Sequence, residues 1–443
     1  MNKPVFKRKN AHLAAAGILF CLLSSPSMAQ SISTTEQNII DTVNRNFDSQ
    51  IDFLRDTVNI NSGTMNISGV EKVGLLYQQA LKSIGMDTKW VKLPTSMQRS
   101  SHLIASAITG KADKKNDILL IGHLDTVFAK NSDFQKFKQD GNTISGPGVT
   151  DMKDGNSIIV YALKALYQQN LLNNANVRVI FNSDEESIGQ PIAVSRAPMI
   201  KLAKKSDYAL SFESGWQNAA TIARRGTTSW KLSVDAKRAH SSGIFSENTG
   251  AGAIFETSRI LNAFYSQIRG ESGLTFNPGI IVGGTQIKAN DQSNLSAFGK
   301  TNIVAETAVV KGDMRFISNE QREAVKDKMK KIVAINLPKT SASIEFNDGY
   351  PAMVARKENK QLLSIFSKVS EDIGYGSVTA FPAEKRGAGD SAFVSPYVAT
   401  IDGLGASGGG SHSKFEHLNV ESLKMATIRT AIFIYRLSQN SQK

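Results

Sequence analysis

Cysteine is almost missing from this 443-residue chain: there is one, Cys21, and it sits in an N-terminal segment with the marks of a removable leader. The mature chain is therefore expected to hold none. That excludes disulfide staples, thiol nucleophiles and thiolate-bound zinc together, and leaves His, Asp and Glu as donors to any metal. Long apolar runs are missing too. Beyond the leader, no segment offers the roughly eighteen uninterrupted apolar residues that a membrane-spanning helix needs. Low-complexity tracts and internal repeats are also absent, so the composition, 41% hydrophobic and 21% charged, is that of an ordinary globular protein. The 52 basic residues outnumber the 39 acidic ones, but they are scattered and lack interleaved aromatics. We read them as a solvated basic surface, compatible with attraction of small acidic substrates, and expect no nucleic-acid partner.

What is present begins with an address. Lys3, Lys7, Arg8 and Lys9 form a basic start, Leu13 to Leu23 an apolar run, and Ser27-Met28-Ala29 a small-x-small cleavage site. Together they read as a secretory signal peptide cut after Ala29, with release to a bacterial periplasm and no membrane attachment afterwards. Bulky Phe20 before Cys21 argues against lipidation. Removing the leader lowers the formal net charge from +13 to +9. The length exceeds a usual single core, so two domains are expected, stabilised by burial alone.

The chain is organised around residues 118–154. Ile118, Leu119, Leu120 and Ile121 lead into Gly122, His123, Leu124 and Asp125, the pattern of a buried parallel strand delivering polar side chains at its C-terminal end, where open α/β sheets place their sites. His123 and Asp125, two apart, share a face, so the carboxylate can orient the imidazole. Asp151 follows a Gly146-Pro147-Gly148 turn and precedes an apolar helix pattern at 155–169. Residues 30–35 read as a loose start, 36–59 as one or two helices, 70–84 as another, and 87–93 and 103–109 as strands. Val177 to Phe181 is a further buried strand ending in Asp184-Glu185-Glu186, and Tyr208 to Phe212 another ending in Glu213. Three strand ends thus carry His, Glu-Glu and Glu.

Near Arg224-Arg225-Gly226 the pattern changes. A half-exposed strand at 227–236, a helix at 249–267, strands at 276–287 and 302–316, a helix at 319–333 and a strand at 341–347 follow. This order is expected of an inserted α+β sandwich. The α/β pattern then resumes with a helix at 357–372, the loop Arg386 to Ser391, a strand at 397–401, a glycine-rich loop presenting His412, and a final helix at 419–438. The boundaries so drawn are a leader at 1–29, a catalytic domain at 30–223 and 338–443 with a central, mostly parallel sheet, and an inserted domain at 224–337.

The candidates for chemistry are His123, Asp125, Asp151, Glu185, Glu186, Glu213 and His412. Imidazole and carboxylate donors suit zinc, two metals about 3.5 to 4 Å apart are typical of aminopeptidase-type sites, and adjacent Glu185 and Glu186 diverge, so one can ligate while the other faces water as a general base. Each feature alone has a plainer reading: His102 and His417 are taken as ordinary histidines, and Arg224-Arg225 as a basic linker.

In series, the motifs Gly122 to Val127, Gly146-Pro147-Gly148 through Asp151 to Lys153, Asp184-Glu185-Glu186, Ser211-Phe212-Glu213, and Gly408 to His412 with Glu416 resemble the M20 metallopeptidases, most closely their glutamate carboxypeptidase-like branch. The resemblance spans about residues 36 to 438. It implies a di-zinc exopeptidase fold with an inserted lid or dimerisation domain, two Zn2+ per chain, and a homodimer formed through the lid. It implies His123, Asp151 and Glu213 on one zinc and Asp151, Glu186 and His412 on the other. Glu185 would then be the general base and Asp125 the support of His123. His240 matches a lid histidine that polarises the scissile carbonyl and can reach the partner's site; Asn302 and Arg315 match lid residues that hold the substrate, Arg315 by a bidentate grip on a terminal carboxylate. The implied reaction is hydrolysis of the amide before a C-terminal amino acid, glutamate first, in a small peptide or N-acyl amino acid. A dipeptidase or an N-acyl-amino-acid deacylase is the alternative within the family, and a non-catalytic exported binder of metal or anion the alternative outside it. Three departures bear on the lid: Ala305 stands where proline is usual, Ser241-Ser242 follow the histidine, and residues 287–300 read as an extra polar loop.

Overall fold

The computed structural model describes residues 32–108, 116–289 and 294–439, so the leader lies outside the described residues. Among them, no helix is long and apolar enough to cross a membrane. The first helix, α1 (Thr34–Val58), starts with a capping box: Ser33 Oγ accepts from Glu36 N at 3.2 Å, and Glu36 Oε2 accepts from Ser33 N at 2.8 Å. Residues 32–35, expected to be loose, are therefore a helix start. Ile39, Val43, Phe47, Ile51, Leu54 and Val58 recur every three or four residues and form its buried face.

Along the chain follow α2 (Ile67–Ser83), β1 (Asp87–Val91), β2 (His102–Ala107), β3 (Asp117–His123), α3 (Asp154–Gln168), β4 (Asn176–Asn182), α4 (Ile192–Ala203) and β5 (Tyr208–Ser211). Next come β6 (Gly226–Ala236), α5 (Ala253–Ile268), β7 (Thr275–Gly284), β8 (Thr307–Phe316), α6 (Asn319–Val333) and β9 (Thr340–Asp348). The last major elements are α7 (Lys357–Asp372), β10 (Ala399–Ile401) and α8 (Val420–Gln439).

Two sheets result. The first has the order β1-β2-β4-β3-β5-β10, with β4, β3, β5 and β10 mutually parallel and β2 antiparallel to β4. Side chains of β3 alternate between its faces: Ile118 and Leu120 enter the larger core with α1, α3 and α8, while Leu119 and Ile121 enter a smaller one with Met199 and Ala203 of α4. Both faces are covered, which is why β3 reads as an unbroken apolar run. The second sheet, β7-β8-β6-β9, is antiparallel and packs one face on α5 and α6 through Trp230, Leu232, Phe264, Val310 and Met329. This is the expected α/β architecture with an α+β insertion.

Three expectations need correction. Residues 340–348 pair with β6, so the inserted domain continues past the boundary drawn at 337/338 and its sheet ends only at Asp348. β9 is the edge strand already expected at 341–347 as the last element of the sandwich, its residues alternating between half-buried and exposed, and the boundary drawn before it left it out. Within 287–300 the expected polar loop is partly a hairpin, Gln286–Ala289 pairing with Leu295–Phe298. Helix α4 was not anticipated: its apolar residues follow no single stripe, Pro198 lies inside it, and its largest fully buried side chain is Arg196.

Arg196 is fully buried between two carboxylates: Nη1 donates to Asp184 Oδ1 at 2.6 Å and Nε to Asp390 Oδ1 at 2.7 Å. Burial pushes Asp184 up, but the charges of Arg196 and His102 together with the hydrogen bonds from Gly189 N and Arg196 hold the carboxyl below its usual range. Replacing Arg196 with Met would leave two buried anions facing each other, at about 3–5 kcal/mol. Urea melts of Arg196→Met are expected to show that loss, with part of it recovered in Arg196→Met/Asp390→Asn; an undiminished midpoint in the single variant would contradict the assignment.

Candidate metal centre

Strand register assembles the site. In the parallel pairings His123 lies opposite Asn182, and Ile121 opposite Ser211, so β3, β4 and β5 end side by side. His123 is the last residue of β3, Glu185 and Glu186 follow β4, and Glu213 follows β5. Asp151 arrives from the turn before α3. A small four-stranded sheet, in which Thr143–Ser145 pairs with His417–Asn419 and the latter with Gly408–Gly409, holds the loop bearing His412 beside that turn. His412 itself adopts φ 63°, following Gly410 at φ 72°.

Asp151 stands at the centre. Its Oδ1 lies 3.3 Å from His123 Nε2, and its Oδ2 lies 3.1 Å from His412 Nε2. His123 Nε2 is also 3.7 Å from Glu213 Oε1, and His412 Nε2 is 3.3 Å from Glu186 Oε2. One carboxylate thus separates two groups, each of one histidine and one glutamate. Ligand atoms of His123, Glu185 and Glu213, and of His123, Asp151 and Glu186, lie within 4.8 Å of one another. The Glu185 carboxylate makes no hydrogen bond among the described residues and lines the cavity in front of the site.

Supporting contacts fix this geometry. His123 Nδ1 lies 2.9 Å from the Asp125 carbonyl and 3.4 Å from Asp125 Oδ1, leaving Nε2 to face the centre. The same Asp125 carboxylate accepts from Glu185 N at 2.9 Å, Glu186 N at 3.1 Å and Thr64 Oγ1 at 2.6 Å, tying β3 to the loop after β4. Glu416 accepts from the backbone N–H groups of Gly148 (3.1 Å), Thr150 (2.9 Å) and Asp151 (3.1 Å) and so clamps the turn that carries Asp151. The sequence marked Glu416 as part of a motif without a role. Tyr350, whose hydroxyl donates to the Glu185 carbonyl at 2.6 Å, had no sequence signal at all.

So many acids in one recess cannot all be ionised unaided. Burial, then the Asp151 charge, pushes Glu213 up to about 8 and Glu186 up to about 7. Burial and the neighbouring Glu213 carboxylate raise Glu185 well above its ordinary value. His123 is raised despite its burial by bonds to Asp125 and Asp151, and hydrogen bonds to Asp151 and Glu186 raise His412 to about 11. Glu186 Oε1 is buried with no hydrogen-bond partner. An unpartnered buried carboxylate oxygen, two imidazoles and a two-sided aspartate fit a pair of divalent cations, which would supply the missing positive charge.

Two cavities open here. One, of about 340 Å³, is lined by the acidic cluster, His412, Trp216, Arg224 and Arg386. The other, of about 570 Å³, is lined by Thr64, Met65, Ile67 and Val127, and the two share Glu186. None of His240, Asn302 and Arg315 lines either. His240 is exposed, bridged to Ile303, while the neighbouring Asn302 carbonyl accepts from Ser241 N at 2.9 Å. They sit beyond the Thr307 end of β8. Arg315 lies eight residues further along that strand, roughly 27 Å away, with Nε on Asp313 at 3.0 Å. Asn302 and Arg315, both expected to hold the substrate, thus lie at opposite ends of the strand within one chain.

An open, mostly parallel sheet with a cluster of His, Asp and Glu at the C-terminal ends of its parallel strands and an inserted sandwich domain defines a metal-dependent hydrolase. The chain belongs to peptidase family M20/M25/M40, whose family model matches residues 119–435. Carboxypeptidase G2 of Pseudomonas sp. (strain RS-16) is 26% identical over 381 residues, covering 84% of this chain and 85% of that protein. Among solved structures, aminopeptidase PepT from Bacillus cereus superposes with a TM-score of 0.68 at 18% identity, over 88% of this chain and 98% of that one. The Bacillus subtilis YXEP protein, described as a dinuclear metal binding peptidase of the M20 family, gives 0.62 at 14% identity, over 89% and 99%. The last two likenesses bear on the fold alone.

The pKa shifts set a pH dependence. Without metal, Glu186 and Glu213 keep protons that the unfolded chain releases above the ordinary 4.5, so stability falls as pH rises from there through about 8. His412 acts in the same direction: its contribution is full below the ordinary 6.5 and is lost as pH rises. Divalent metal displaces those protons. The thermal midpoint of metal-free protein is expected to drop across this window, and the rise on adding metal to be greatest at its upper end; a metal effect that shrinks as pH rises would contradict the reading.

Proposed function

We propose that the chain is an exported di-zinc carboxypeptidase that hydrolyses the amide bond before a C-terminal amino acid, with glutamate as the preferred residue. The observation that carries the reaction is Asp151 facing one histidine and one glutamate with each oxygen, beside a Glu185 carboxylate left without a hydrogen bond. In this reading His123, Asp151 and Glu213 hold one ion and Asp151, Glu186 and His412 the other. Bound there, the two ions would supply Lewis acidity toward the carbonyl oxygen and lower the pKa of water.

The chain's own groups then have defined tasks. Glu185, raised by burial and by Glu213, accepts the proton of the attacking water and returns it to the leaving nitrogen. Asp125 keeps His123 in the orientation that presents Nε2. His240 stabilises the developing oxyanion, and its place at the far end of the second sheet favours service in a partner's site, hence a homodimer through the inserted domain. The basic excess of the mature chain and its likeness to carboxypeptidase G2 support an acidic leaving residue.

Two outcomes are expected. Glu185→Gln should lower kcat by about 10²–10⁴-fold while plasma emission still finds two metal ions per chain; retained hydrolysis would remove Glu185 from the chemistry, and loss of metal would make it a ligand. Protein recovered from the periplasm should begin at Gln30 and sediment as a dimer. An intact N-terminus would overturn export, and a monomer the shared site.

A further inference from the structure

Among the described residues, the buried or half-buried arginines near the site differ in one respect. Arg196 is matched by Asp184 and Asp390. Arg224 is matched by Asp402, whose Oδ2 accepts from Arg224 Nε at 2.6 Å. Arg386 has no carboxylate within ion-pair distance. Its Nε donates to Thr221 Oγ1 at 3.1 Å and its Nη2 to the Ser214 carbonyl at 2.5 Å, both neutral acceptors. Nη1 makes no hydrogen bond. The guanidinium is half-buried, lies 5.8 Å from the centre of the Phe381 ring, and lines the cavity that also holds Asp151, Glu185, Glu186 and Glu213.

A cation fixed at two of its three nitrogens by neutral acceptors, with Asp402, Glu213 and Asp151 acting on it only from beyond contact distance, is a costly arrangement for a free protein. Burial and the like charge of Arg224 both lower its pKa from the usual arginine value. The loop beside it stays open: a Cβ added at Gly387 would meet nothing within 4 Å. Two neutral anchors set the plane of the guanidinium, and the third nitrogen is left for a ligand. Arg315, by contrast, is engaged with Asp313 away from the cavity.

We propose that Arg386 is the substrate-carboxylate subsite of this cavity, receiving on its free Nη1 an anionic group of the amino acid that leaves. This deepens the carboxypeptidase reading and rests on it for the identity of the ligand. Arg224, ion-paired to Asp402, lines the same cavity and leaves Arg386 as the cation free to meet an anion. The carboxylate can be the α-carboxylate of the released residue or the side-chain carboxylate of a glutamate, and the test separates these sources.

The experiment compares wild-type and Arg386→Gln protein, metal-loaded, on N-benzoyl-glutamate, N-benzoyl-glutamine and N-benzoyl-glutamate α-amide. Arg386→Gln should lower kcat/KM by about 10- to 100-fold, through KM, on substrates carrying the recognised carboxylate, and leave the one lacking it unchanged. Sparing of the α-amide assigns the α-carboxylate; sparing of the glutamine compound assigns the side chain. An equal loss on all three, or none, would overturn the proposal in favour of a structural role for Arg386. Calorimetry with glutarate and glutaramide needs no turnover: wild type should bind glutarate at least about tenfold more tightly, and Arg386→Gln should lose that margin. Equal binding of the two probes by wild type overturns the subsite even if the variant fails to fold. Absence of hydrolysis with the glutarate margin intact would instead count against the peptidase reading alone.

Discussion

Like-charge crowding governs this structure. Asp125, Asp151, Glu185, Glu186 and Glu213 converge on one recess with only two imidazoles among them, and much of the surrounding architecture restrains that repulsion. Backbone N–H groups take part of the load: Asp125 accepts two from the Glu185-Glu186 loop, and Glu416 accepts three from the Asp151 turn. Buried arginines take another part. Arg196 joins Asp184 to Asp390, and so the loop after β4 to the short helix at Ser391–Val394; Arg224 joins Asp402 to the start of the inserted domain. The remaining deficit of positive charge is what makes the recess a place for divalent cations.

The same restraint explains why the site is spread over the whole chain. A carboxylate held on its own loop could relax away from its neighbours. Here the five acids arrive from three strand ends and one turn, and the parallel register of β4, β3 and β5 stops them from separating. The inserted domain joins this frame through Tyr350, whose hydroxyl holds the Glu185 carbonyl from a loop 165 residues away. Glu185, the proposed general base, is thus anchored from both domains.

Much of this was legible in the sequence because it is local. The run Ile118 to Ile121 ending in His123, the run Val177 to Phe181 ending in Glu185-Glu186, and the Gly-Pro-Gly turn before Asp151 each announce a strand or turn and the polar group it delivers. Illegible features depend on distant partners. Helix α4 is organised around Arg196, whose buried position makes sense only with Asp390, 194 residues on. The strand at 341–347 was legible as the last element of the inserted sandwich, but the boundary was drawn before it, and its pairing with β6 carries the domain to Asp348. Arg386 carried no signal, since its anchors Ser214 and Thr221 are more than 160 residues upstream. The lid residues were named by resemblance, and the geometry separates them: His240 and Asn302 lie at one end of the second sheet and Arg315 at the other.

The two crossings between domains are hydrogen-bonded to each other: Arg224 N donates to the Met353 carbonyl at 2.9 Å, and Met353 N to the Arg224 carbonyl at 3.0 Å. Paired antiparallel residues have Cα atoms about 5.5 Å apart, a gap that a two-residue turn closes. The second sheet and its helices therefore leave and re-enter the first domain through a single doorway. In topological terms the insertion is a branch on an otherwise continuous fold, and a chain in which a short turn replaces it would keep every strand of the first sheet in its present order.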